Sequence, residues 1–227
     1  MSSRLAGLIR RLRSFHGPPA PPPMRDPYRL LLWEQVGYMA ADPERLAAYR
    51  MLEDRVGTAP LAILSAPLPA LRAVTRRGGS IAVAQRAERL RIVAERVLDK
   101  WAGNLRPVLR LSLADARREL AKYPSIGEPG AERILMLCGS HPVLGLDSNA
   151  LRVLQRLGYG REFPQWAKSY RSSQAAAERE LPATTVARRA AALLLRRHGQ
   201  TLCRRSSPRC SECPLQPDCP TGRARRS

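Results

Sequence analysis

The sequence predicts an all-α protein, and two observations carry that prediction. Apolar residues recur at three- and four-residue spacing almost throughout, and alternation of β-branched with polar residues is nearly absent. With 227 residues, the chain can bury one good core or two small ones. At the amino end Leu5, Leu8, Ile9 and Leu12 share one helical face, with Arg4, Arg10, Arg11 and Arg13 elsewhere. So short an apolar face docks onto a neighbouring helix rather than a membrane surface. Gly17 to Pro23 interrupts helix and forms a stiff, extended connector between lobes. Helix resumes near Tyr28. Ala87, Leu90, Ala94 and Val97 mark a further helix, preceded at 80–85 by a segment with the composition of a short extended piece. Leu113, Ala116 and Leu120 mark the next, Tyr123-Pro124-Ser125-Ile126-Gly127 a tight turn, and Ala131, Ile134, Leu135 and Cys138 the helix after it. Pro129 falls in the first turn of that helix, where its missing N–H is no loss. Ala150, Val153, Leu154 and Leu157 form another stripe.

Charge sets the class of partner. Lys and Arg number 39 against 19 Asp and Glu, a formal net charge of +20, and such a chain seeks a polyanion. The only lysines are Lys100, Lys122 and Lys168, so the positive charge is almost all guanidinium, the better fork for phosphate oxygens. A GC-rich genome also inflates arginine and explains some of the count without removing the field. No run of apolar residues is long enough to span a membrane, and no secretory signal opens the chain. The expectation is a soluble, cytoplasmic, monomeric protein with nucleic acid as its leading partner.

Cys203, Cys210, Cys213 and Cys219 follow the pattern C-x6-C-x2-C-x5-C. Pro208, Pro214, Pro217 and Pro220 break the same stretch into turns. Four thiolates on a short curled segment can each reach one corner of a compact cube, which points to a [4Fe-4S] cluster. A four-cysteine zinc site is the alternative, although such sites more often pair two C-x2-C hairpins and only one occurs here. A reducing interior suits cysteines used as ligands rather than as staples. Cys138, on an apolar helical face, reads as a core residue. Arg204, Arg205 and Arg209 lie between the first two cysteines, placed either to meet phosphates or to form a solvated basic loop.

The turn at 123–127 has the form of a helix-hairpin-helix, whose backbone amides point at a DNA phosphate without reading sequence. An ordinary αα-hairpin looks similar. Beyond it comes Leu146-Asp147-Ser148-Asn149-Ala150-Leu151-Arg152-Val153, where Asp147 reads by itself as a helix N-cap. Taken jointly, the hairpin, the spaced aspartate and the terminal cysteines resemble the endonuclease III and adenine DNA glycosylase superfamily of base-excision repair. The resemblance runs from Arg4 to Cys219.

That resemblance implies a two-lobed all-α helix-hairpin-helix DNA glycosylase fold. Residues 1–27 would supply the amino-terminal helix and connector, packed with the cluster lobe. Residues 28–145 would form a six-helix lobe with the hairpin at 113–138, and 146–227 the cluster lobe with its loop at 203–219. Duplex DNA would bind across the cleft, and the damaged or mispaired base would be flipped out, because its glycosidic bond cannot be reached while stacked. Asp147 matches the superfamily's essential aspartate. Pro27-Tyr28-Arg29-Leu30-Leu31-Leu32-Trp33-Glu34 is similar to the start of the adenine glycosylase helix that carries the catalytic acid, which places Glu34 in that role. Desolvation by Leu30, Leu31, Leu32, Trp33 and Val36 would raise its pKa and keep a proton available. The bland alternative is a glutamate at the solvent edge of a buried helix. Asp147 would stay ionised, stabilise the oxocarbenium-like sugar and orient water.

The departures matter as much as the matches. Bifunctional members carry a lysine where this chain has Pro129, which cannot form a Schiff base, so lyase activity is not expected. Lys122 is the nearest lysine, before the turn. Tyr38-Met39 replaces the paired glutamines of the adenine-specific family, and an apolar wedge can still unstack a base step. Ser125, Ile126, Gly127 and Gly130 would meet a phosphate, although Ser125 replaces the first hairpin glycine and Pro129 removes one amide. The chain ends soon after Cys219, which leaves no room for the extra domain that recognises 8-oxoguanine. Arg161, Trp166, Tyr170 and the arginines around 188 and 196 would line a DNA face of the second lobe or pack within it. The function implied is monofunctional hydrolysis of an N-glycosidic bond. The alternatives are a bifunctional glycosylase with a displaced lysine and a catalytically silent DNA-damage-binding protein.

Overall fold

The structure, a computed structural model, describes residues 3–38 and 40–224. Among the described residues there are twelve α-helices and no strand. They are α1 (Arg4–His16), α2 (Pro27–Val36), α3 (Asp42–Arg55), α4 (Pro60–Ser65), α5 (Leu68–Arg77), α6 (Val83–Trp101), α7 (Leu113–Leu120), α8 (Glu128–Cys138), α9 (Ser148–Arg156), α10 (Trp166–Glu178), α11 (Thr185–Thr201) and α12 (Pro220–Ala224). No described helix is long and apolar enough to cross a membrane.

The backbone divides into two compact units, at Pro23/Met24 and again at Ile134/Leu135. The first break falls at the end of the Pro-rich connector. The second lies inside α8 rather than at 145, and the hydrogen bonds of the following segment explain why. Leu144 N donates to Glu178 Oε1 at 2.6 Å, Gln174 Nε2 donates to the Leu144 carbonyl at 2.9 Å, and Leu146 N donates to the Tyr170 hydroxyl at 3.3 Å. Residues 143–146 are therefore fastened to α10 before α9 begins, and their buried Val143, Leu144 and Leu146 belong to its core.

In the middle unit, residues 24–134, helices α2, α4 and α5 pack on α6. The α6 stripe is Ala87, Leu90, Val93, Ala94 and Val97, all fully buried. Arg86, also buried, sits on the same helix and sends its guanidinium inward. Its Nη1 donates to the carbonyls of Val36 at 2.8 Å and Gly78 at 3.3 Å, its Nη2 to Thr75 at 2.7 Å and to Gly79, and its Nε to Ile81 at 2.9 Å. One cation thus satisfies orphan carbonyls at the carboxyl ends of both α2 and α5, where the helix dipoles are negative. Segment 80–85 is not extended: a turn with Ala82 at φ +52° leads straight into α6.

Gly78 makes this arrangement possible. A Cβ there would lie 1.8 Å from the Val36 carbonyl oxygen, and a backbone atom cannot swing aside as a flexible side chain does. Gly78→Ala should therefore destabilise the chain by about 2 kcal/mol through forced backbone displacement, read as a lower urea midpoint at unchanged m-value.

The other unit joins residues up to Pro23 with those from Leu135 onward. Ser3 caps α1, accepting from Ala6 N at 3.2 Å, and α1 lays Leu5, Leu8 and Leu12 against α11. Ile9 stands at the margin of that face, half-buried. α9 and α11 approach closely because Gly199 faces the start of α9. A Cβ at Gly199 would sit 2.6 Å from the Asn149 carbonyl oxygen, so any side chain here would push α11 off the turn that follows Asp147.

Candidate active site and cysteine cavity

Asp147 is the N-cap of α9, its Oδ1 accepting from Ala150 N at 2.8 Å. Its other oxygen pairs with Arg196 Nη1 at 3.0 Å and accepts from Asn149 Nδ2 at 3.4 Å. The carboxylate side chain is 10% exposed, so it is nearly buried yet fully supported. The cap bond, the amino end of α9 and the guanidinium all meet this carboxylate. Asn149 in turn accepts from Arg152 Nη2 at 2.8 Å, and Arg152 Nε donates to the Cys203 carbonyl at 2.9 Å. A continuous run of hydrogen bonds thus links the acid to the first residue of the cysteine loop.

Cys203, Cys210, Cys213 and Cys219 line one cavity, together with Val153, Leu157, Leu202 and Leu215. All four are free thiols. Among the described residues no group of three or more His, Cys, Asp or Glu side chains is arranged to hold a metal ion. Three of the sulfurs already have polar neighbours: Arg156 Nη1 donates to Cys203 Sγ at 3.3 Å, Gly222 N donates to Cys219 Sγ at 3.3 Å, and His198 Nε2 lies 3.4 Å from Cys213 Sγ. Burial pushes the Cys213 thiol up to about 11 and the Cys219 thiol upward as well. A metal's positive charge reverses that preference and makes these thiols thiolates. The donor set, four soft sulfurs in an apolar pocket with N–H groups aimed at them, fits an iron–sulfur cluster.

Glu34 lies on α2, in the middle unit. The sequence surrounds it with apolar residues, but the structure brings two guanidiniums to it. Arg133 Nη2 from α8 is 2.6 Å from Glu34 Oε2, and Arg45 Nη1 from α3 is 3.7 Å from the same oxygen. Arg45 also stands over the Trp33 ring, 5.8 Å from its centroid. The surroundings of Glu34 are thus two guanidiniums as well as the apolar residues of its own helix. Its neighbour Gln35 is buried and donates to the Pro124 carbonyl at 2.8 Å, so α2 is tied to the turn between α7 and α8.

In that turn Ser125 takes a left-handed conformation, φ +64°, the geometry a glycine adopts without cost. Ser125 and Gly127 are exposed, whereas Ile126 is buried and its amide is already spent on the Tyr123 carbonyl at 3.1 Å. Of the expected phosphate contacts Ile126 is therefore a core residue, and its N–H is used internally. Gly130 packs near Ile126, a Cβ there falling 3.5 Å from Ile126 Cγ2. Glu128 in the first turn of α8 adds negative charge where an anion would dock, and Pro129 supplies no N–H.

No family model matches the chain. Its sequence is similar to Endonuclease III of Bacillus subtilis (strain 168), 30% identical over 109 residues, or 48% of this chain and 47% of that protein. The match thus spans about half the length of that curated relative. The structural likeness is nearly complete in extent. A trapped Endonuclease III–DNA covalent intermediate matches with TM-score 0.76 at 22% identity, over 96% of this chain and 95% of that one. A non-covalent Endonuclease III–DNA complex matches with TM-score 0.77 at 20% identity, over 98% and 97%. A thermostable thymine-DNA glycosylase matches with TM-score 0.73 at 19% identity, over 97% of each. The fold is that of the helix-hairpin-helix DNA glycosylases.

Within this helix-hairpin-helix fold two of the three lysines share one carboxylate. Lys122 Nζ is 2.7 Å from Glu119 Oε1, and Lys100 pairs with the other oxygen of the same carboxylate. The hydrogen bond to Glu119 raises the Lys122 pKa, opposite to what an attacking amine needs. Lys168 is exposed on α10. Tyr38, just beyond α2, is 50% exposed, and Met39 lies outside the described residues. Arg204 and Arg205 are exposed, and their carbonyls accept from Arg156. Tyr170 is buried with Trp166 stacked on it at 5.4 Å, and Arg161 is exposed. Arg196 binds Asp147, while Arg188 pairs with Glu178 at 3.0 Å and donates to the Pro142 carbonyl. In this structure both arginines bind the protein's own groups. Sequence reasoning passed over Arg45, Arg133, Arg86 and Arg152 altogether. Each is one arginine among many, and only its partner across the fold distinguishes it.

Proposed function

We propose that the chain is a monofunctional DNA glycosylase of base-excision repair, hydrolysing the N-glycosidic bond of a damaged or mispaired base flipped out of duplex DNA. The observation that carries the proposal is Asp147, an almost buried carboxylate held at the start of α9 by its cap bond and Arg196. As the C1′–N bond breaks, positive charge grows on the sugar, and a preorganised anion stabilises it without reorganisation. The same carboxylate orients the water that completes hydrolysis. Glu34 belongs at the departing base. In the free chain it is paired with Arg133 and Arg45, so to act as the acid it must first part from a guanidinium and take up a proton from water, which it then passes to the base nitrogen as the C1′–N bond breaks. The two guanidiniums can donate hydrogen bonds to the base but give up no proton.

The unlinked lyase chemistry has no support from the side chains. Pro129 stands at the hairpin position, and Lys122 is an ion-paired ammonium. Binding to DNA rests on the arginine-rich charge and on phosphate contacts from Ser125, Gly127, Gly130, Arg204 and Arg205, with Tyr38 and Met39 as the wedge. Cys203, Cys210, Cys213 and Cys219 would hold a [4Fe-4S] cluster, which when bound braces the loop after α11 and supplies no step of the hydrolysis. Four cysteines lining one cavity, with the spacing C-x6-C-x2-C-x5-C, support a cluster over a single zinc ion.

The test is base release from oligonucleotides carrying uracil, mismatched thymine or adenine, oxidised pyrimidines and alkylated purines, with and without alkali, beside borohydride trapping. The expected outcome is strand cleavage only after alkali and no trapped adduct. A borohydride adduct lost in Lys122→Met would replace this reading with a bifunctional one. Tight binding to damaged duplex without base release across the panel would replace it with a silent damage-binding protein.

A further inference from the structure

The cavity lined by the four cysteines is joined to the amino-terminal helix through a lining residue, His198. His198, on α11, is 1% exposed. One ring nitrogen, Nε2, lies 3.4 Å from Cys213 Sγ, and the other, Nδ1, lies 3.1 Å from Nε2 of His16 at the end of α1. The two rings meet edge-on with centroids 5.4 Å apart, and Phe15 meets His16 edge-on from the other side. Three groups from α1, α11 and the cysteine loop thus form one chain of contacts, from a half-buried thiol through His198 to the half-buried His16, 182 residues from His198 in sequence.

Hydrogen-bond logic orders that line once Cys213 is a ligand, an inference that rests on the cluster reading above. A metal-bound thiolate has no proton to give, so His198 must donate through Nε2. A neutral buried imidazole that donates through one nitrogen accepts through the other, so Nδ1 requires a donor, and His16 Nε2–H is the group in reach. We propose that His16 fixes the tautomer of His198 so that His198 donates to the Cys213 sulfur, and that this pair tunes the reduction potential of the cluster. An N–H donated to a ligand sulfur draws electron density from it and favours the reduced cluster, and a partner beyond the donor keeps that N–H aimed. Both histidines are positioning residues, and neither touches DNA in this role.

The experiment is voltammetry of the purified full-length holoprotein on an electrode, with iron and sulfide content measured on each sample. His16→Phe keeps an aromatic ring against His198 and Phe15 but removes the donor; its cluster potential should move to more negative values. His198→Leu should move it in the same direction, and the double variant should match His198→Leu alone, because His16 acts only through His198. Loaded protein whose potential is unmoved in both single variants overturns the proposal, and so does a double variant whose shift is the sum of two separate ones. Wild-type protein lacking iron and sulfide overturns the cluster reading and this inference together, an outcome the metal analysis separates from the first two. Far-ultraviolet circular dichroism checks that His198→Leu is folded; should it not fold, His16→Phe still decides the matter.

Discussion

If the chain is the glycosylase proposed above, Asp147→Asn should lower the single-turnover rate of base release by about 10³-fold, while the protein stays folded. The two halves of that outcome have separate causes. Asparagine ranks with aspartate as an N-cap, so the bond from Ala150 N to the side-chain oxygen survives and α9 still starts where it does. What is lost is the negative charge facing Arg196 at 3.0 Å. That loss costs about 1 kcal/mol of stability, because a neutral amide oxygen can still accept from the guanidinium. The chemistry has no such substitute, since an amide neither balances a growing sugar cation nor takes a proton from water. Base release by quenched time course and a thermal melt on the same preparation check both halves. Release at the wild-type rate would remove Asp147 from the mechanism.

Arg86→Met has the largest effect on folding, a loss of about 4 kcal/mol, read from urea unfolding. Methionine fills a similar volume but donates nothing, so the carbonyls of Val36, Thr75, Gly78, Gly79 and Ile81 lose the group that holds them. Each buried carbonyl left without a donor costs on the order of 1 kcal/mol or more unless water reaches it. Small domains have only about 5 to 15 kcal/mol in total. Arg86→Lys recovers part of the loss, because an ammonium has three donors at one point and cannot span the ends of two helices. A methionine variant with an unchanged urea midpoint would show that these carbonyls are satisfied some other way. The segment after Val36 carries Tyr38, so loosening of α2 should also weaken any wedge built there.

The two outcomes illustrate how differently local and distant information are written into this chain. The α7–turn–α8 hairpin is legible because its stripes, Pro124 and Gly127 act within about fifteen residues through turn and capping preferences. The N-cap character of Asp147 is legible for the same reason, as is the cysteine loop, whose prolines and spacing are local. The boundary between the units is not, because residues 143–146 take their place from hydrogen bonds to Tyr170, Gln174 and Glu178. Nor is the environment of Glu34: its helix reads as apolar, and the charges that hold it arrive on α3 and α8.

The chain's arginine content makes the point sharply. Composition establishes a strongly cationic chain suited to a polyanion and periodicity an all-helical one, while spacing marks a cap at Asp147, a tight turn between two helices and the four thiols. Composition cannot say which guanidinium faces DNA and which is spent inside. Arg86 on five carbonyls, Arg133 on Glu34, Arg196 on Asp147 and Arg152 on the cysteine loop are all drawn inward. The physical reason is that periodicity and capping are short-range and recur every few residues, whereas a buried charge is assigned by whichever partner the packing of distant helices brings within about 3 Å.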